Sequence, residues 1–202
     1  MADILASIQN PEEALSQAKK ATGIGGPITV FIISGLFFLI ALLVFGKFKD
    51  FVGPIIGALA ITIFSMVYAF FAKIPFEMLS GNRGNSVYNS FVASSLGSVQ
   101  ISLGLLLFSI IGFVGSFFTP SVPLLSVVFV LIGALVLVYY ALVGISIATK
   151  AYKELFKTDY VVVLVANGIV STSLTILIVM MYMLIFQALV GTMMMGGFGR
   201  SL

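Results

Sequence analysis

Cysteine and histidine are absent from the 202 residues of this chain, and charge is scarce, with 8% charged residues against 60% hydrophobic ones. Without cysteine there are no disulfides and no thiol chemistry, and without histidine the commonest metal ligand is gone. The redox compartment therefore leaves no mark on the sequence. A soluble domain is about 25% charged, so this composition excludes a soluble protein. The shortage is also uneven. No charged residue occurs between Arg83 and Lys150, nor between Asp159 and Arg200. Intervals of that length cannot supply a solvated surface, and both are expected to lie in lipid.

What the chain does have is long apolar runs. A helix crossing a hydrocarbon core of about 30 Å needs roughly 20 mostly apolar residues. Five runs reach that length, at 28–45, 51–72, 91–118, 124–149 and 160–191. The first is closed by Gly46 and K-F-K-D, the second by Lys73 and Pro75, and the polar loop S-G-N-R-G-N leads to the third. T-P-S-V-P turns the third run into the fourth without a charge, and K-A-Y-K-E-L-F-K-T-D follows the fourth. The fifth exceeds one crossing, which a tilt, a kink near Asn167-Gly168 or an interfacial Met-rich tail would accommodate. The expected fold class is all-α: a polytopic membrane bundle of five transmembrane helices forming one domain, 28–202, with no repeat at a solenoid period.

Residues 1–27 form an expected cytoplasmic N-terminal segment. Asp3, Glu12 and Glu13 stand where a signal peptide would be basic, so it is expected to be retained. It carries a short amphipathic helix at 11–21. Asn10 suits the N-cap, Pro11 the first helical position, Glu12 and Glu13 the positive dipole end, Lys19 and Lys20 the negative end, and Gly23 the stop. Its apolar face (Ala14, Leu15, Ala18) is thin, which predicts surface lying or docking rather than insertion.

Five crossings divide the basic side chains. Lys19, Lys20, Lys73, Arg83, Lys150, Lys153 and Lys157 share the side of the N-terminus, and Lys47, Lys49 and Arg200 the other, seven against three. Basic residues favour the cytoplasm, which predicts an N-terminus inside and a C-terminus outside.

The span interiors hold no Asp, Glu, Lys, Arg or His. Intramembrane aspartyl, serine and metalloprotease chemistry each need such groups, as does a proton-coupled transporter. The expectation is a protein that is not an enzyme, with no cofactor and no metal. The polar residues present are weak ones. Ser90, Ser94, Ser98 and Ser102 recur every fourth residue on the third span, with Gly97 and Gln100 beside them. Such a stripe serves helix packing, with interhelical hydrogen bonds of roughly 0.6–2 kcal/mol each, or lines a solute path. Gly53-x-x-x-Gly57 and Gly168-x-x-x-Thr172 have the same small-residue spacing, and Asn167 is an amide suited to bonding a neighbouring helix. In 150–157, Tyr152, Leu155 and Phe156 share one face and Lys150, Lys153, Glu154 and Lys157 lie elsewhere, the pattern of an interfacial helix. With Lys19, Lys20, Lys73 and Arg83 these lysines would form a basic cytoplasmic face toward lipid headgroups or a protein partner.

The layout, together with N-P-E-E-A-L (10–15), G-G-P-I-T-V-F (25–31) and G-N-S-V-Y-N-S-F-V-A-S-S-L-G-S-V-Q-I-S-L-G-L-L-L (84–107), resembles the Yip family of Rab-interacting membrane proteins, particularly its compact prokaryotic members. The last stretch is similar to the family's glycine-rich loop, short amphipathic helix and third span. Gly26-Pro27 matches the Gly-Pro of the family's first-span D-L-x-G-P without its acid. Ser98 stands where the family commonly has Tyr after Gly97, and no proline follows. Asp50 to Pro54 spells D-x-x-G-P but opens the second span, so it reads as a membrane boundary, with Pro54 in a first helical turn where its missing N–H costs nothing.

The resemblance implies a non-enzymatic membrane organiser, scaffold or trafficking-type interaction protein. Membrane lipids and a protein at the cytoplasmic face are its implied partners, and nucleic acid is not. A prokaryotic plasma membrane is the expected location, with homo-oligomers through small-residue helix faces. The rival is a transporter or channel subunit for a neutral or lipidic solute.

Overall fold

A computed structural model describes residues 10–18, 23–81, 86–118 and 122–198, and all regular structure among them is helical. The elements are α1 (Pro11–Ala18), α2 (Gly25–Phe45), α3 (Val52–Ser80), α4 (Ser86–Phe118), α5 (Pro123–Phe156) and α6 (Tyr160–Phe198). Helices α2 to α6 are each long and apolar enough to cross a membrane, so the chain is a multi-pass integral membrane protein built as a helical bundle. Lys19, Lys20, Arg83, Arg200, the 119–121 turn and the expected extension of α1 to 21 lie outside the described residues.

All five membrane helices run further than their apolar runs predicted, α2 and α6 by three and seven residues and α3, α4 and α5 past a polar boundary. Helix α3 continues through Lys73 and Pro75 to Ser80, and Gly81 ends it in the left-handed region at φ 69°, where a glycine carries no Cβ penalty. A proline removes only one ladder bond, and here Pro75 sits between Ala72 and Phe76, both buried, so packing offsets the loss. Helix α4 begins at Ser86, and α5 absorbs the segment expected to lie at the interface as its last two turns. The reason is visible in α5: Tyr152, Leu155 and Phe156 are buried against protein rather than turned to lipid. At 1.5 Å per residue the 21 residues of α2 span about 31 Å, close to the hydrocarbon thickness, whereas the 33 of α4 and 34 of α5 span about 50 Å. An upright crossing would leave the excess outside the hydrocarbon. Helix α6 is unbroken through Asn167-Gly168, with no interruption before Phe198.

That excess builds a compact end. Ala14 and Leu15 of α1 are buried with Phe76, Tyr88, Tyr152, Leu155 and Phe156, so α1 docks onto the bundle. Phe76 stacks on Tyr152 at 4.2 Å between centroids and lies 5.0 Å from Phe156. Asn10 and Glu13 fasten the start of α1 reciprocally, the Glu13 N–H donating to Asn10 Oδ1 and the Asn10 amide to Glu13 Oε2. Ser86 donates to Glu77 Oε1, clasping the α3–α4 connection.

At the opposite end the K-F-K-D hairpin is very tight, with Lys47 and Phe48 both at positive φ. Asp50 is its organiser: its carboxylate accepts the N–H groups of Val52 at 3.0 Å and Gly53 at 3.2 Å, satisfying first-turn donors of α3. Helix α4 is the hub, packed most extensively on α5 and α2, while α6 rests on the rest through Val163, Ala166, Val170 and Leu174 along one face.

Candidate functional site

The serine stripe of α4 meets three neighbours. Ser90 is fully buried; its hydroxyl donates to the Ala69 carbonyl of α3 at 2.5 Å and lies 3.2 Å from Tyr152 Oη of α5. Ser94 Oγ and Tyr152 Oη are 2.6 Å apart. On the α2 side, Ser34 donates to the Ser98 carbonyl at 3.1 Å and stands 2.8 Å from the Ser102 hydroxyl. Ser95, Ser98 and Ser102 also return their hydroxyls to carbonyls of the preceding turn, the usual recourse of serine in an apolar helix. Among the described residues, no buried side-chain nitrogen or oxygen lacks a partner. Every such bond replaces one that lipid cannot offer, so the stripe first of all joins helices.

Gly97 does so by close approach. A Cβ there would fall 2.9 Å from Ala148 Cβ and 3.0 Å from the Gly144 carbonyl oxygen, and one on Gly144 would fall 2.7 Å from the Gly97 carbonyl oxygen. The two backbones touch, which only glycine permits. The other small-residue spacings behave differently. Gly57 faces the tip of Leu42 on α2, Gly53 faces the capping carboxylate of its own turn, and Gly168 has open space around it.

Alongside this sealed contact lies a cleft. A cavity of about 340 Å³ is bounded by Ser65 and Tyr68 on α3, Ser94 and Ser98 on α4, Thr149 and Tyr152 on α5, and Asn167 on α6. A second, of about 250 Å³, shares Phe31, Ser65, Ser98 and Ile101 with the first and reaches Phe38, Leu105 and Leu137. Helices α3 and α5 meet through the stacked side chains Phe76, Tyr152 and Phe156 while their backbones stay apart, which is why the space between them stays open over α4. Tyr68 donates to Asn167 Oδ1 at 3.1 Å, tying α3 to α6 at its edge. Among the described residues, no carboxylate, ammonium or guanidinium lines either cavity, so the chemistry on offer is hydrogen bonding by hydroxyls and an amide. Such a lining supplies no metal ligand set and no acid–base pair.

Of the basic residues, Lys73, Lys150, Lys153 and Lys157 all fall at the end that carries α1, and Lys47 and Lys49 at the other. Lys73 lies over the Phe70 ring at 4.8 Å and Lys153 over Tyr160 at 4.0 Å. Sequence reasoning passed over Tyr68, Ser34, Ser65, Thr149 and Gly144. The available signal was the few polar residues interrupting the apolar runs, such as Ser34 in the first and Ser65 and Tyr68 in the second; what it could not supply was the pairing of those runs in space. No family model, no curated protein and no solved structure matches this chain.

Proposed function

We propose that the protein is a non-enzymatic membrane organiser, a Yip-like scaffold or trafficking-type interaction protein of a prokaryotic plasma membrane. It works through its packed helices and a basic cytoplasmic face that receives anionic lipid headgroups or a protein partner. One observation carries the reading. The four described lysines of the predicted cytoplasmic side stand together around an aromatic core built from the helix ends that outrun the bilayer, with α1 docked into it. A set of lysines that only fixed topology would need no such ordered base; one that receives a partner does. The resemblance in 10–15, 25–31 and 84–107 points the same way.

Two experiments test it. Reporters placed after Leu202 and after Gly84 should report opposite sides of the membrane, and finding both on one side would remove the five-crossing orientation. Crosslinked native membranes should then yield co-purifying proteins or anionic lipids with the wild type and fewer with a Lys73, Lys150, Lys153 and Lys157→Gln variant. Identical recovery from both would end the basic-face reading.

The cleft favours a second reading, a transporter or channel subunit for a neutral or lipidic solute. Single cysteines at Ser94, Ser98 and Asn167, on this cysteine-free background, separate the two. Ready labelling of all three by a membrane-impermeant reagent would establish a water-filled path and remove the packing account.

A further inference from the structure

We infer that the cleft between α3 and α5 is a binding site for a neutral amphiphile with one acyl chain, of the monoacylglycerol kind. This holds whether the protein organises membranes or moves a solute, since it concerns what occupies the cleft.

The shape gives the first part of the argument. The two cavities share four lining residues and follow α4 from Ser94 to Leu105, a rise of about 16 Å, so the occupant is elongated. Volumes of about 340 and 250 Å³ lie near the lower bound of roughly 300–1,000 Å³ for small-molecule sites, suited to one chain rather than two.

Polarity gives the second. Tyr68, Thr149 and Asn167 line the first cavity, whereas the far end of the second is formed by Phe38, Leu105 and Leu137. Ser34, Thr62 and Ser102 also border the second, but Ser34 and Ser102 are bonded to each other and Thr62 donates to the Ala58 carbonyl, so the contrast lies in the Asn167 amide, which only the first cavity has. Thr149 is the last residue of the apolar run of α5, so a headgroup at that end would sit near the interface with its chain directed inward.

Hydrogen-bond capacity gives the third. Asn167 Oδ1 accepts from Tyr68, yet among the described residues its Nδ2 hydrogens meet no protein acceptor. They are donors in a membrane segment that await a carbonyl or hydroxyl oxygen. Ser65 and Thr149 donate to the Ile61 and Ile145 carbonyls of their own helices, leaving lone pairs for a ligand hydroxyl. An ester carbonyl with a glycerol hydroxyl complements both. A phosphate does not, because among the described residues no cation lines the cleft to meet its charge. Phe64 and Ile145, on opposite walls of the cleft, are 40% and 57% exposed, so the cleft is open at its rim, and a ligand held in the bilayer would enter from the side.

The test uses the full chain in phosphatidylcholine vesicles with a monoacylglycerol carrying a diazirine in its chain. Photolysis and peptide mapping should give saturable labelling near Ile101 and Leu105, displaced by unlabelled monoacylglycerol and not by equal phosphatidylglycerol. Ser65→Phe should abolish it by filling the cleft, Ser65→Ala should weaken it only about two-fold through one lost acceptor, and Asn167→Leu should weaken it about five-fold through the lost donor. Labelling that rises linearly with probe and spreads over outward residues such as Ile56 and Leu131 would overturn the assignment, as would equal displacement by phosphatidylglycerol. Asn167→Leu decides the matter if Ser65→Phe does not fold: labelling at wild-type affinity in that variant also overturns it.

Discussion

Helix α4 presents two faces made of nearly the same residues, and they do opposite things. Toward α5 its backbone is in contact, Gly97 on Gly144, and further along Gly104 lies against Tyr140 and Gly115 against Phe129. Toward the gap between α3 and α5, Ser94 and Ser98 border a cavity of about 340 Å³. A small side chain lets a neighbour approach; it does not compel one. Backbones meet where the facing residue is also small, as at Gly144, and Gly104 and Gly115 make room instead for Tyr140 and Phe129, whereas beside Ser94 and Ser98 the walls Phe64 and Tyr68 leave space. The difference separates what binds the bundle together from what is left to bind something else.

The largest expected effect tests that contrast within one helix by making one substitution twice. Gly97→Ala places a methyl where the nearest atoms are Ala148 Cβ at 2.9 Å and backbone oxygen at 3.0 Å, so α4 and α5 must separate. The expected cost is about 1–3 kcal/mol, read as a lower unfolding temperature in detergent. Gly112→Ala on the same helix meets nothing within 4 Å and should be neutral or stabilising by up to about 1 kcal/mol. Equal losses from the two would show that α4 is sensitive to any added methyl and would erase the distinction between its faces.

Next in size is Tyr152→Phe. Its hydroxyl lies within hydrogen-bond distance of both Ser90 and Ser94 in the buried end of the bundle, while its ring stacks on Phe76. Removing the oxygen alone should cost about 1–2 kcal/mol and leave the stack in place. Tyr152→Leu should cost more, because an aromatic pair contributes a further 0.5–1.5 kcal/mol or so. A Phe variant as unstable as the Leu variant would place all of the contribution in the hydrogen bonds.

Much of this architecture was legible from charge and hydropathy alone. Five apolar runs became five long helices because lipid leaves the backbone no other way to satisfy its own groups over such a distance. Legibility failed at the helix ends beyond the bilayer. There Lys73, Pro75 and the 150–157 lysines signal a boundary to any hydropathy scale, yet burial of Phe76, Tyr152 and Phe156 against one another prolongs α3 and α5 past it. The serine stripe was visible as a spacing, but its division into a sealing residue (Ser90) and residues that border the cavities (Ser94, Ser98, Ser102) was not. That division depends on which side chains of α3 and α5 face it, and no periodicity within α4 encodes them. Gly53 shows the reverse case, a packing spacing whose member faces Asp50 in its own turn.

The smallest expected effect probes the loose side of the comparison. Tyr68 donates to Asn167 across α3 and α6 at the edge of the cleft, and interhelical bonds of this kind in membranes contribute about 0.6 kcal/mol on average. Tyr68→Phe should therefore leave the unfolding temperature nearly unchanged. Its consequence should be local: α6 rests on the bundle chiefly through Val163, Ala166, Val170 and Leu174, so losing one polar tie should speed amide exchange along α6 and leave α4 protected. Gly168→Val, on the open side of the same helix, should change neither. A loss from Tyr68→Phe as large as that from Tyr152→Phe would mean that the cleft wall is held as firmly as the glycine seam, and the open space between α3 and α5 would then be a rigid feature of the fold rather than one that can part to admit a ligand from the bilayer.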